Sequence, residues 1–242
     1  MIRLHSIESL GTYDGPGVRL VFFTQGCNFK CKYCANPDTI DKTGESRFFN
    51  YEELMNLPRS QRPFFGKRGG ITMSGGEPLM QAKTIAPFFR MLQEEGFNTC
   101  IDTNGSYITE DVKELLEYTD LVLLDIKEMD EQAHINIAGA SNRATLRFTK
   151  YLHEINKPVW ARYVLVPGYT DSEEHLHALG KFLQPMKNIE KLEIQPYHKL
   201  GVHKYESLGW KYELENVPQN TPEQLIKAKE ILTEYIDEVI VN

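Results

Sequence analysis

No stretch of these 242 residues approaches the unbroken apolar run, roughly 18 to 20 residues, that a bilayer-spanning helix needs. The opening Met1-Ile2-Arg3-Leu4-His5-Ser6 has no apolar signal core, so we expect no membrane partner and a cytoplasmic location. Basic blocks are missing too. Acidic side chains number 34 against 27 basic ones, the net charge is -7, and no cluster of Lys and Arg tracks a phosphate backbone, which argues against a nucleic-acid partner. Cysteine is scarce: there are four, and Cys27, Cys31 and Cys34 are crowded into one short run. That crowding is too tight to staple a fold of this size with disulfides and suits a single metal centre in a reducing compartment. Low-complexity linkers are absent, and a 41% hydrophobic content can bury a sizeable core, so one domain over 1-242 is expected.

What the chain does have is the run Gly26-Cys27-Asn28-Phe29-Lys30-Cys31-Lys32-Tyr33-Cys34. Thiolates are the soft ligands that iron-sulfur clusters use. Three of them on a cubane of four irons leave one iron with an open position where a substrate can bind. A structural zinc site would instead want a fourth protein ligand, and the remaining thiol, Cys100, is remote in sequence.

Short apolar segments alternate with amphipathic ones. Strands are expected at Arg19 to Thr24, Gly70 to Met73, Thr99 to Asp102, Leu121 to Ile126, Val159 to Val166 and Leu192 to Gln195, several reading as the continuous apolar runs of parallel strands buried on both faces. Thr109 caps one helix, and Gly96 ends another. Thr221-Pro222-Glu223-Gln224 is a capping box that opens a last helix, with Leu225, Ile226, Ile231, Leu232, Tyr235 and Ile236 expected on one stripe. Right-handed crossovers then imply an α/β fold with a curved parallel sheet, and chemistry collects at the C-terminal strand ends. The cysteine run follows the first strand. Later strands run into Ser74-Gly75-Gly76-Glu77-Pro78, Asp102-Thr103-Asn104-Gly105, Asp125-Ile126-Lys127, Arg162 with Pro167-Gly168, and Pro196-Tyr197-His198.

Cys27-x-x-x-Cys31-x-x-Cys34 with Tyr33, followed by Gly75-Gly76-Glu77-Pro78, resembles the radical S-adenosylmethionine superfamily. Asp14-Gly15-Pro16-Gly17-Val18-Arg19, Cys34-Ala35-Asn36-Pro37-Asp38-Thr39 and the strand-end motifs extend the likeness, nearly end to end, to its glycyl-radical-enzyme activating family, in particular the activators of pyruvate formate-lyase. The resemblance implies a partial (β/α)6 TIM-type barrel with one 4Fe-4S cluster on Cys27, Cys31 and Cys34, which are also the catalytic residues. S-adenosylmethionine as cosubstrate would be contacted by Tyr33, Cys34, Ala35, Gly75, Gly76, Glu77, Asp102, Asp125, Ile126, Lys127 and His198. It further implies a monovalent cation near Asp102 and Asp125, and Asp14 and Arg162 as contacts to the protein substrate, pyruvate formate-lyase. Reduced flavodoxin or ferredoxin would supply the electron to a monomeric enzyme. Some relatives carry an inserted cysteine-rich segment between the two motifs. No cysteine lies between Cys34 and Gly75 here, so extra clusters are not expected. Where the family often has His after the third cysteine, this chain has Ala35.

Plainer readings stand beside these. The Asp14-Gly15-Pro16-Gly17 run is also an ordinary turn, Asp102, Asp125 and Lys127 also suit surface ion pairs, and His198 and His203 can be packing histidines. His5, His134, His153, His175 and His177 are read as structural or surface residues, and Cys100 as a small hydrophobe. The alternatives left open are an activator of a different glycyl-radical enzyme and a non-catalytic metal-binding module.

Overall fold

A computed structural model describes all residues from Met1 to Asn242. The chain packs as two compact units, Met1–Asn28 with Thr39–Leu123, and Phe29–Asp38 with Leu124–Asn242.

In the first unit the strands are β1 (Ile2–Gly11), β2 (Arg19–Thr24) and β3 (Arg47–Phe49). Then come α1 (Tyr51–Phe65), β4 (Gly70–Gly75), α2 (Ala82–Glu94), β5 (Asn98–Thr103) and α3 (Glu110–Glu117). β1 pairs antiparallel with both β2 and β3, whereas β2, β4 and β5 run parallel. Leu20, Val21 and Phe22 of β2 and Ile71 and Met73 of β4 are fully buried, as continuous apolar runs require. Register decides where the site forms. Thr24 lies opposite Gly75 and Met73 opposite Ile101, so the chain leaves all three strands at one edge, into the cysteine run, Gly76-Glu77 and Asn104-Gly105. Thr109 caps α3 by accepting from the Val112 N–H, and Gly96 after α2 has φ 76°, both as expected.

β6 (Leu121–Asp125) leads along the chain into the second unit, with α4 (Glu131–Ala138), α5 (Arg143–Glu154), β7 (Val159–Leu165) and α6 (Glu173–Leu183). It closes with β8 (Ile189–Pro196), α7 (Val202–Ser207), α8 (Pro222–Thr233) and β9 (Val239–Val241). β7, β8 and β9 are parallel, and Leu165 opposite Pro196 puts Val166-Pro167 and Tyr197-His198 at one edge.

All six expected strands are present: the first has the expected bounds, the second, third and sixth are longer at one or both ends, and the fourth and fifth each stop one residue earlier. Three strands were not expected. β1 alternates buried and exposed positions and carries charge, and β3 and β9 are three residues each, too short for a periodic signal. The stripe expected on α8 also needs correction. Its capping box is present, but Ile226 is 57% exposed, Ala228 takes the buried position, and Tyr235 and Ile236 follow the helix end.

Candidate functional site

The first unit holds Cys27 and the glycine turn. Cys27 leaves β2 through Gly26, and this start of the run is tied down by Gly26 N–H to the Thr39 carbonyl (2.8 Å) and Cys27 N–H to the Ile40 carbonyl (3.1 Å). Gly76 donates to the Thr24 carbonyl (2.9 Å) and Glu77 N–H to the Gly26 carbonyl (2.8 Å), so the turn after β4 rests directly on the chain entering the cysteine run. A Cβ on Gly76 would lie 2.2 Å from the Gly26 carbonyl oxygen, and Gly75 has φ 105°, so neither position admits a side chain without displacement. Glu77 is 1% exposed and points inward. It accepts from Leu79 N–H (2.9 Å), the Thr103 hydroxyl (2.6 Å) and Asn104 N–H (2.8 Å). Burial pushes its carboxyl up to about 7 against the pull of those three donors. Its side chain therefore braces the end of β5, and the Ser74 hydroxyl donates to Asp102 (2.7 Å) beside it.

Cys31, Tyr33 and Cys34 belong to the second unit. Lys30 and Lys32 donate their N–H groups to the carbonyls of Ala138 and Ile137 (2.9 Å each), so the C-terminus of α4 serves as a ledge for the run. Those orphan carbonyls are the acceptors a helix end leaves available, and Gly139, at φ 73°, ends the helix in the left-handed conformation. Phe29 packs edge-on against buried His134, with ring centroids 5.5 Å apart. Asp125, the last residue of β6, pairs with Lys127 at 2.6 Å, and the Lys127 ammonium lies 5.7 Å from the centre of the Tyr33 ring. Burial works against that ammonium, but Asp125, with Tyr33 and Cys31, holds its pKa well above the ordinary lysine value. Burial pushes the Cys31 thiol up to about 12, with Lys127 pulling the other way. A ligand thiolate at this position therefore forms together with metal binding, releasing its proton. Ile126 is buried and donates to the Arg162 carbonyl (3.0 Å).

Other expected residues lie elsewhere. Asp14 precedes β2, at the strand end opposite Cys27, where its carbonyl accepts from the Thr72 hydroxyl. Beside it, fully buried Arg19 bonds Thr72 and Asn98, and Cys100 packs there at 0% exposure. Arg162 sits in the middle of β7 rather than at its end, where Glu193 faces it in register and pairs with it at 3.1 Å in a nearly dry setting. His198 follows β8 and is exposed, and His203 is exposed on α7. The structural reading of the other histidines holds for His134, His153, His175 and His177, which bond Ala140, Asn188, Glu128 and Tyr235.

Several contributors were not expected. Lys204 of α7 reaches Asn36 (2.8 Å) and Asp38 (3.1 Å), and a Cβ on Gly201 would meet the Ala35 carbonyl oxygen at 2.7 Å. Asn28 and Asn104 form a side-chain pair near Cys27. Asn28, Asn36, Asp38 and Asn104 carried a signal only as members of the quoted motifs, without a role; Lys204 and Gly201 make long-range contacts that no local pattern reveals.

The donor set suits an iron-sulfur cluster with a ligand on its open iron. Three thiols lie on one run, the Tyr33 hydroxyl is buried with no hydrogen-bond partner, and the glycine turn is too close-packed for any side chain. The structure gathers no group of three His, Cys, Asp or Glu side chains for a metal ion, so the cluster rests on the motif and the family.

A mostly parallel α/β frame that puts a three-cysteine run and a Gly-Gly-Glu turn at neighbouring strand ends defines the radical S-adenosylmethionine class. The model of the Radical SAM superfamily matches residues 21–179. The chain is 45% identical over 236 residues to the pyruvate formate-lyase 1-activating enzyme of Escherichia coli, covering 96% of each chain. It is 45% identical over 233 residues to the pyruvate formate-lyase-activating enzyme of Staphylococcus aureus, covering 93% of this chain and 92% of that one. Among solved structures, Streptococcus suis SuiB bound to S-adenosylmethionine shares the fold, with a TM-score of 0.71 at 17% identity over 92% of this chain and 49% of that one. A domain of pyruvate-formate lyase-activating enzyme from Bacteroides vulgatus gives a TM-score of 0.61 at 23% identity over 72% of this chain and 99% of that one. The chain thus belongs to the radical SAM superfamily and, within it, to the family of the pyruvate formate-lyase-activating enzymes. Membership implies a 4Fe-4S cluster and S-adenosylmethionine.

Proposed function

We propose that this protein activates pyruvate formate-lyase by generating a radical on a backbone glycine of that enzyme. The observation that carries the proposal is the 45% identity to a named activating enzyme over 96% of both chains. Cys27, Cys31 and Cys34 hold the cluster in this reading, and the match over 21–179 runs through residues of both units, which supports treating 1-242 as one catalytic domain. When bound, the reduced cluster and S-adenosylmethionine supply a 5'-deoxyadenosyl radical that removes hydrogen from the glycine.

The chain's own residues bind and orient. Gly75 and Gly76 let the backbone come close to the methionine part of the ligand, and the unpartnered Tyr33 hydroxyl is available to it. Ala35, Asp102, Asp125, Ile126, Lys127 and His198 complete the proposed contacts. Glu77 contributes through its backbone, because its carboxylate is taken up by Leu79, Thr103 and Asn104. The monovalent cation belongs to the same proposal; Asp125 already has Lys127 as its partner. The contacts to the protein substrate proposed for Asp14 and Arg162 draw no support from their surroundings, one lying at the far end of β2 and the other sealed against Glu193. Reduced flavodoxin or ferredoxin would deliver the electron, and the enzyme would act as a cytoplasmic monomer.

Anaerobic reconstitution with iron and sulfide, followed by dithionite and S-adenosylmethionine, tests the chemistry. Formation of 5'-deoxyadenosine and methionine is expected. Stoichiometric zinc binding with no 5'-deoxyadenosine would mean that the chain is a non-catalytic metal module.

A further inference from the structure

The Asn104 amide occupies a position that the proposed chemistry has not yet used. It is 6% exposed, and its backbone N–H and both side-chain polar atoms have partners. Its backbone N–H is fixed by the buried Glu77 carboxylate (2.8 Å), which ties the start of this turn to the Gly-Gly-Glu segment. Its side-chain oxygen accepts from the Ser106 N–H at 3.0 Å. A backbone N–H can only donate, so that contact assigns the oxygen and leaves the NH2 group facing the other way. There Nδ2 meets two acceptors, Asn28 Oδ1 at 3.2 Å and Cys27 Sγ at 3.9 Å. The Asn28 NH2 in turn donates to the Ser106 hydroxyl (2.8 Å), so Asn104, Asn28 and Ser106 close a ring that Ser106 completes through its backbone N–H.

We infer that Asn104 is a positioning residue that tunes the cluster: its side-chain N–H donates to the Cys27 thiolate and makes the cluster easier to reduce. The inference rests on the assignment of Cys27 as a cluster ligand. Reduction adds negative charge, part of which resides on the ligand sulfurs, and a donor aimed at one of them stabilises the reduced form more than the oxidised form. Geometry gives the effect its reliability. Glu77 and Ser106 hold the amide in place, so the donor is present before the electron arrives.

The test is an electron paramagnetic resonance redox titration of the reconstituted cluster in wild type, Asn104→Leu and Asn104→Asp. Leucine removes the donor at similar volume; aspartate keeps an acceptor for the Ser106 N–H and replaces the donor with a charge. A cluster that loads normally in either variant should be about tenfold harder to reduce in Asn104→Leu, a shift of about 59 mV for a one-electron couple, and harder still in Asn104→Asp. An unchanged or easier reduction overturns the inference. So does loss of cluster loading in both variants, which would make Asn104 a structural residue only. If the wild-type chain itself assembles no 4Fe-4S cluster, or assembles it equally well without Cys27, the ligand assignment beneath the inference fails instead.

Discussion

Glu77 illustrates how far a motif residue can be read at the residue scale. The family resemblance leads one to expect it as a ligand contact, yet its carboxylate faces inward, bonded to Leu79, Thr103 and Asn104, and burial pushes its pKa from 4.5 to about 7. An acid whose folded pKa lies above its unfolded value binds its proton more tightly when folded. Its contribution is therefore complete below pH 4.5 and is lost as pH rises through about 7. The difference in unfolding free energy between wild type and Glu77→Gln, followed by denaturant titration, should fall by on the order of 3 kcal/mol across that window. A difference independent of pH would contradict the burial argument. Cys31→Ser should abolish loading of the cluster with little loss of fold, because the packed strands do not depend on that thiol; normal loading, read from iron content and visible absorbance, would refute its ligand role. The three-cysteine run and the paired glycines were legible in the sequence as a candidate site through their likeness to the family's motifs. The directions of Glu77, Arg162 and Asn104 were not, since they depend on which neighbour across the sheet can accept or donate.

Among the elements, the ends of strands and helices do most of the positioning. The C-terminal carbonyls of α4 hold Lys30 and Lys32, and the start of α7 presses Gly201 against Ala35. Gly201→Val should push the Cys34 side of the run aside, so we expect a folded protein by circular dichroism with several-fold lower cluster content; full loading would show that the close approach is not needed. On α8, whose capping box joins Thr221 and Gln224, Thr221→Ala should cost about 1 kcal/mol of stability without changing cluster content. Strands with continuous apolar runs were readable from sequence, as were the caps. β1, β3 and β9 were not: β1, though paired on both sides, is charged and half exposed, and the edge strands β3 and β9 are only three residues long. Likewise the separation of adjacent Leu225 and Ile226 follows from the 100° step of a helix, which left Ile226 in solvent.

For the whole molecule, the family follows from the order of motifs and the match that covers 96% of the chain. Packing, by contrast, divides the chain into two compact units, and one of the three cysteines belongs to the first unit while two belong to the second. No sequence pattern marks that division, because the short cysteine run reads as one continuous motif. The central claim concerns a second protein, so the most direct measurement observes that protein. Purified pyruvate formate-lyase is incubated anaerobically with the reconstituted chain, dithionite and S-adenosylmethionine, and the partner is examined by electron paramagnetic resonance. The account predicts a glycyl-radical signal on the partner, one 5'-deoxyadenosine formed per radical, and neither when Cys31→Ser replaces the wild type. Release of 5'-deoxyadenosine with no radical on pyruvate formate-lyase, and a radical instead on a different glycyl-radical enzyme, would contradict it.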